Sequence, residues 1–144
     1  MRILFILCIA LTSLLPTVHA DFFDSEVANI DLELDQLDQI HINTYTFRDT
    51  RENIRYENAV RFIREVKDAA KTRYTAGAIS YYRMNDIIRD MDALAYALDR
   101  HFLFYKRYEQ QPKRIEYRTE SEEYFALSRA SYQKLSATLK RSNQ

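Results

Sequence analysis

The chain is poor in the residues that cross-link a polypeptide or turn it sharply. It has one cysteine, Cys8, one glycine, Gly77, two prolines and no tryptophan. One cysteine cannot form an intramolecular disulfide, so packing alone must hold the fold together. So little glycine and proline is incompatible with the many tight turns of an all-β domain, and alternating apolar runs are also missing from the sequence. The sequence therefore predicts an all-α protein.

The first twenty residues differ from the rest of the chain. A short positive region at Arg2 is followed by a largely apolar run from Ile3 to Leu15, and Val18-His19-Ala20 has the small-residue pattern of a signal-peptide cleavage site. As a helix this run would span only about 20 Å, less than the ~30 Å hydrocarbon core of a bilayer. We therefore expect residues 1–20 to be a cleaved signal peptide. Residues 21–144 are expected to form one secreted, all-helical domain without membrane attachment.

Acidic and basic residues balance over the whole sequence, with 21 of each, but they are unevenly distributed. Residues 21–40 carry seven acids and no base, whereas residues 41–144 carry 20 bases against 14 acids. We expect the acidic first helix to lie against the basic remainder. Because a nucleic-acid-binding protein normally leaves its basic surface uncovered, no nucleic-acid partner is expected.

Apolar residues recur at helical spacing in two segments of the first half. Helix one is expected to start at the N-cap types Asp24 and Ser25 and to end near Thr44. Helix two is expected to start at a capping box formed by Asp49 and Glu52 and to run to about residue 74. The predicted inner faces are Val27, Ile30, Leu34, Leu37, His41 and Tyr45 in helix one, and Ala59, Phe62, Ile63, Val66, Ala69 and Ala70 in helix two.

The clearest pattern in the sequence is an apolar ladder in helix three. This helix is expected from Ser80, after a turn at Gly77, to Gln110, just before Pro112. The ladder residues recur at steps of three and four, which places them in one narrow stripe. They are Met84, Ile87, Met91, Leu94, Leu98, Phe102 and Tyr105. Such a stripe needs partners, so the ladder is predicted to be the spine of the core.

Helix four is predicted from a capping box at Thr119 and Glu122 to about Arg141, with an earlier helical turn from Pro112 as an extension. Its predicted inner face is Tyr124, Ser128, Ser131, Leu135 and Leu139, flanked by Phe125, Leu127 and Tyr132. Four amphipathic helices with short connections predict an antiparallel four-helix bundle. Two stacked helical hairpins are the alternative, because helix three is longer than its neighbours.

Catalytic and metal-binding patterns are weak in this sequence. Asp38 and His41 have the three-residue spacing of a metal-ligand pair, but carboxylate-bridged metal bundles need a second such pair, and His101 follows Leu98 instead. No nucleophile elbow occurs, and Ser128 and Ser131 fall in a helical packing pattern. The sequence therefore predicts no enzyme activity, no metal and no cofactor.

The side of helix three opposite the ladder carries an unusual stripe. Its residues are Tyr82, Arg89, Tyr96 and Leu103, spaced by seven, with Arg100 and Arg107 beside them. Tyrosine and arginine dominate protein-interface hot spots, so the stripe is a candidate partner-binding surface. The alternative is that helix three is central and that its own chain covers both sides. With the basic surplus nearby, a polyanion site is a third interpretation.

A family resemblance comes from the whole of residues 21–144. The segment Asp21-Phe22-Phe23-Asp24, the acidic stretch 31–35 (Asp-Leu-Glu-Leu-Asp) and the tyrosine-rich helices carry it. In this character the chain resembles the anophensin- and albicin-like salivary family of mosquitoes, which are small, signal-bearing, helical proteins without disulfides. The resemblance implies a secreted, non-enzymatic inhibitor of the complement alternative pathway or of contact activation of coagulation, with a host plasma protein or protease complex as partner. The alternative is a bacterial periplasmic helical bundle with a binding or chaperone-like role.

Overall fold

The computed structural model describes residues 21–43 and 50–140, with side chains over 27–39 and 53–139. The described residues form helices and no strand, which confirms the all-α prediction. The helices are α1 (Asp21–Asn43), α2 (Thr50–Thr75), α3 (Tyr81–Gln110) and α4 (Ile115–Lys140). The predicted signal peptide and the predicted cap at Asp49 lie outside the described residues. Not one of the described helices has the length and apolar content that crossing a bilayer requires.

Neighbouring helices run antiparallel and pack in chain order. α3 packs most extensively on α4, α1 packs on α2, α2 also contacts α3, and α1 meets α4 at a few positions. At one end of the α3–α4 pair, the Arg83 guanidinium donates to the Leu139 carbonyl at 3.5 Å. Further along α3, His101 contacts Ser121 near the start of α4. The result is an antiparallel bundle in which the hairpins α1–α2 and α3–α4 are tighter than the contacts between them.

The apolar ladder of α3 is the spine of the core, as predicted. Its central members Ile87, Met91, Leu94 and Leu98 are no more than 1% exposed. The side chains that join them in the core are Val27, Ile30, Leu34 and Leu37 of α1, Ala59, Ile63, Val66 and Ala70 of α2, and Phe125, Leu135 and Leu139 of α4. Burying one leucine stabilises a fold by about 1.5–3 kcal/mol relative to leaving it exposed. This one stripe therefore accounts for much of what holds the four helices together.

Hydrogen bonds cap both helices at the turn between α2 and α3. Gly77 has a φ of 73°, in the left-handed region that glycine tolerates best. The Ala78 N–H donates to the Arg73 carbonyl at 2.8 Å, which ends α2. The Ser80 hydroxyl accepts from the backbone N–H of Arg83 at 3.2 Å, which starts α3. The predicted turn and the predicted start of helix three are both confirmed.

Two predicted helix starts are corrected by the structure. α1 already includes Asp24 and Ser25, so these residues do not cap it. α4 begins at Ile115, and the hydroxyl of the predicted cap Thr119 donates to the Ile115 carbonyl at 3.3 Å. Threonine satisfies a carbonyl one turn back in a helix as well as an N-terminal N–H, so the local pattern did not separate the two positions. Of the two predicted starts of helix four, the structure supports the earlier one, toward Pro112.

The acidic side of α1 pairs with basic residues of its neighbours, as the charge distribution predicted. Glu33 is 5% exposed and accepts from Arg55 of α2 at 3.4 Å. Arg129 of α4 lies 3.2 Å from Asp31 and also pairs with Asp35. Part of the basic surplus in residues 41–144 is therefore neutralised inside the bundle.

Polar contacts also fix α2 against α3. The Tyr56 hydroxyl donates to Asp99, and the Tyr56 ring stacks on Phe102 with 4.3 Å between ring centroids. Burial raises the pKa of Tyr56, and the Asp99 carboxylate raises it further. Nearer the turn between the two helices, Lys67 of α2 pairs with Asp92 of α3. These contacts set the register of the two helices alongside the apolar core.

A buried carboxylate lies between α3 and α4. Asp90 is 3% exposed, and Lys134 approaches its Oδ1 at 3.4 Å while Arg89 lies at 3.7 Å. Its other oxygen, Oδ2, has no hydrogen-bond partner in the described part of the chain. A buried carboxylate is costly unless cations compensate it, so Asp90 depends on these two side chains.

Replacing Leu94 by alanine should lower the free energy of unfolding by about 2–5 kcal/mol, because Leu94 is fully buried and its loss leaves a cavity. Leu103→Ala makes the same change on the outer side of α3, where the side chain is 37% exposed. It should cost about 1 kcal/mol or less. Urea denaturation followed by circular dichroism measures both. Equal losses would contradict the orientation of α3.

Lys134→Met should destabilise the protein by about 1–2 kcal/mol, because it leaves the buried Asp90 with Arg89 alone. The partial exposure of Lys134 keeps the loss below that of a fully buried pair. Lys71→Met is the matched control, since Lys71 pairs with Asp68 and both are exposed. That variant should change stability by less than about 1 kcal/mol. A Lys134→Met protein no less stable than the control would show that Asp90 does not need the ammonium group.

Candidate partner-binding surface

The predicted stripe on the outer side of α3 is open to solvent. Its most exposed member is Tyr82, at 81%, and Tyr96 is 52% exposed. Arg89, Arg100, Leu103 and Arg107 are exposed as well. The alternative in which the chain covers both sides of helix three does not hold for the described residues. The stripe is a surface feature.

The N-terminal half of the stripe does not form one continuous cluster with the rest. Arg89 pairs with Asp86 at 2.9 Å and approaches the buried Asp90, so its charge is compensated within α3. The Tyr82 ring lies 6.1 Å from Tyr81, an edge contact at the corner where α2 meets α3. These two stripe residues therefore belong to a different neighbourhood from Tyr96, Arg100 and Arg107.

The C-terminal half of the stripe joins aromatic side chains of α4 to form one surface. We call it the aromatic face, defined as Tyr96, Arg100, Phe104 and Arg107 of α3 with Tyr117 and Tyr124 of α4. The ring of Tyr124 contacts the edge of Tyr96 at 6.3 Å and stacks on Phe104 at 5.7 Å with an angle of 6°. Phe104 also lies 6.3 Å from Tyr117. Three α3–α4 ring contacts thus connect the surface across both helices.

Two arginines of the aromatic face lie against its rings. The Arg100 guanidinium is 5.4 Å from the Tyr96 ring centroid, and that of Arg107 is 5.4 Å from Phe104 and 6.0 Å from Tyr117. Cation–π contacts at such distances are worth about 0.5–1 kcal/mol at exposed sites. Among the described side chains, neither arginine forms an ion pair with a carboxylate. The aromatic face therefore presents two uncompensated positive charges.

The Tyr124 hydroxyl stays protonated near neutral pH. The pKa of Tyr124 is raised chiefly because its hydroxyl hydrogen-bonds with Tyr96, and the Arg100 charge opposes this shift. An ordinary tyrosine already titrates near pH ~10, so a further increase keeps the phenol protonated. Tyr124 therefore contributes a hydroxyl group and ring area to the face, and Arg100 and Arg107 contribute positive charge.

Three members of the aromatic face were missed by the sequence prediction: Phe104, Tyr117 and Tyr124. Of the predicted inner side of helix four, Ser128, Leu135 and Leu139 are buried, but Tyr124 is half-exposed, and the predicted flank residue Leu127 is exposed. Ser121 and Phe125 are buried in addition. Tyr124 and its neighbour Phe125 point in directions 100° apart around the helix axis, so only one of them can face the centre of the core. One signal in the sequence could have linked Phe104 to the stripe. Phe104 lies four residues after Arg100 and three residues before Arg107, and residues at these separations are neighbours on a helix surface.

α4 packs closely on α3 through buried side chains, and Tyr117 and Tyr124 lie at the edge of that contact. The His101 ring nitrogen Nδ1 donates to the Ser121 carbonyl at 2.9 Å, and the Ser121 hydroxyl donates to the His101 carbonyl at 3.3 Å. The Ser128 hydroxyl donates to the Phe125 carbonyl at 2.7 Å, so it too is satisfied within the contact. The inner side of α4 holds these two serines together with the buried Phe125, Leu135 and Leu139, and Tyr117 and Tyr124 lie on its flank.

Asp38 and His41, whose spacing resembles a metal-ligand pair, cannot be compared, because the His41 side chain lies outside the described residues. Within the part that is described, no three His, Cys, Asp or Glu side chains come together as metal ligands.

Comparisons with known protein families, with characterised proteins and with solved structures find no match to this chain.

The double change Tyr96→Ala with Arg100→Ala should shift the free energy of unfolding by about 1 kcal/mol or less, because both side chains are exposed and contribute only surface contacts. Differential scanning calorimetry provides the measurement, with Leu94→Ala as the destabilised reference. A loss as large as that of Leu94→Ala would mean that this side of α3 is covered in solution.

Proposed function

We propose that this chain is a secreted, non-enzymatic inhibitor that binds a host plasma protein or protease complex through its aromatic face. One observation carries the proposal: Arg100 and Arg107 lie exposed beside aromatic rings without a carboxylate partner among the described side chains. Tyrosine and arginine are enriched among the residues that dominate protein–protein binding energy, because each combines a large contact area with a polar end. The face has the composition of a binding surface.

A role without catalysis is supported by the way the described polar side chains are used. Ser121 and His101 lie within hydrogen-bond distance, but both are at most 5% exposed and sit inside the α3–α4 contact, out of reach of a substrate. The Ser128 hydroxyl is bonded to a backbone carbonyl. The remaining carboxylates lie mainly on exposed helix surfaces, where a pKa is hard to shift for acid–base chemistry.

The class of partner in this proposal comes from the resemblance to mosquito salivary inhibitors. That resemblance points to the complement alternative pathway or to contact activation of coagulation, both of which assemble protease complexes from plasma proteins. Secretion is part of the same proposal and rests on the signal-like pattern of residues 1–20. The pairing of α1 acids with Arg55 and Arg129 leaves the aromatic face as the surface with uncompensated arginines beside exposed rings.

Immobilised protein should retain a complement or contact factor from vertebrate plasma, identified by mass spectrometry. The Tyr96→Ala, Arg100→Ala double variant should weaken retention by about tenfold or more, as expected for interface hot spots. Tyr74→Ala with Arg64→Ala is the matched control, because it removes the same two residue types from the exposed surface of α2. This control should retain the factor as the unchanged protein does.

Activity assays complete the test of this function. The unchanged protein should delay alternative-pathway haemolysis or contact-activated clotting, and the aromatic-face variant should not. Failure to retain any complement or contact factor would remove the salivary-inhibitor proposal. Equal retention by both double variants would move the binding surface away from the aromatic face.

A further inference from the structure

The two free arginines of the aromatic face are arranged as a matched pair. Arg100 and Arg107 are seven residues apart on α3, which separates them by about 10 Å along the axis and by only about 20° around it. Each guanidinium lies close to a ring of the same face. A cation held in this way loses less side-chain entropy on binding than a freely moving one. It also keeps several N–H donors for an incoming acceptor.

The surroundings of this pair limit how large an anion it can bind. Arg114 and Arg118, on the α4 side, are already neutralised by Glu116 and Glu122. Glu120 lies close enough to raise the pKa of Tyr124 through its charge. A long polyanion needs many cations along a continuous track and would be repelled by these carboxylates. A ligand that needs only Arg100 and Arg107 as cations avoids the repulsion by these carboxylates.

We infer that the aromatic face binds a short acidic segment of a partner protein, with one carboxylate side chain at Arg100 and a second at Arg107 about 10 Å away. The inference rests on the proposed protein-binding function and names the chemistry of the epitope. Arginine suits this role because its planar fork can donate two parallel hydrogen bonds to one carboxylate. Tyr96, Phe104 and Tyr124 supply apolar contact area between the two charge sites.

Nuclear magnetic resonance titration tests this site without knowledge of the partner. Hexaglutamate, hexaglutamine and a heparin hexasaccharide are added in turn to 15N-labelled protein in low-salt buffer. Hexaglutamate should shift the side-chain Nε–H signals of Arg100 and Arg107, and hexaglutamine should leave them unchanged. Arg100→Gln with Arg107→Gln should weaken hexaglutamate binding about tenfold or more, since each charged hydrogen bond contributes substantially.

Two further variants separate this site from general charge attraction. Arg61→Gln with Arg64→Gln removes the same charge from the exposed surface of α2 and should leave hexaglutamate binding unchanged. Arg100→Lys with Arg107→Lys keeps the charge but removes the fork, so affinity should fall severalfold even though net charge is constant. Equal weakening by the α2 variant, or full affinity in the lysine variant, would overturn the paired-carboxylate site.

The remaining outcomes distinguish this inference from the proposed function. Binding of heparin at these arginines without binding of hexaglutamate would replace the acidic segment by a sulfated polyanion. A plasma factor retained equally by the unchanged protein and by Arg100→Gln with Arg107→Gln would overturn the acidic epitope while the inhibitor function stands. Failure of the plasma experiment alone would remove the inhibitor function, whereas hexaglutamate shifts at Arg100 and Arg107 would still support the site.

Discussion

Burial of a single stripe of α3 is the constraint on which the rest of the structure depends. The chain has one cysteine, so no disulfide within it can share the work of holding the helices. α3 is 30 residues long, its direct neighbours are α2 and α4, and its ladder from Ile87 to Leu98 lies in one apolar cluster with side chains of α1, α2 and α4. A helix covered along one side leaves its opposite side at the surface. The outer stripe of α3 is thus a direct consequence of how the core is built.

Core packing also positions the α4 half of the aromatic face. α4 contributes Phe125, Leu135 and Leu139 to the core. It also packs closely on α3 through Ser121 and Ser128, with His101 bonded across the contact. Tyr117 and Tyr124 lie to the side of this contact, where both meet the ring of Phe104 on α3. The candidate surface therefore needs no element of its own; it is the outer edge of the tightest helix pair.

Charge pairing then decides which part of the surface is free to bind. The acids of α1 compensate Arg55 and Arg129, and local carboxylates compensate Arg89, Arg114 and Arg118. Among the described side chains, Arg100 and Arg107 have aromatic rings as neighbours and form no ion pair with a carboxylate. A formal net charge of zero over the whole sequence is thus compatible with a small aromatic surface that is locally positive. This is the physical basis for proposing an acidic, and not a basic or apolar, partner segment.

Scarce glycine and proline determined the all-α class, and the single glycine marked the turn at Gly77. Periodicity determined the α3 ladder and the stripe opposite it, because which side of a helix is apolar is a local property of the sequence. The exposure of that stripe was left open by the sequence and was decided by the tertiary structure. The start of α4 and the exposure of Tyr124 were not determined in this way, although Ser128, Leu135 and Leu139 of the predicted inner side are buried. Thr119 suits both a cap and a helix interior, and Tyr124 and Phe125 are apolar enough for either to face the core. Only packing against α3 resolved these choices, since 100° of rotation decides whether Tyr124 is buried or joins Tyr96. The sequence by itself determined that a tyrosine- and arginine-rich side of α3 exists, and the tertiary structure decided which rings and which unpaired charges it shares with α4.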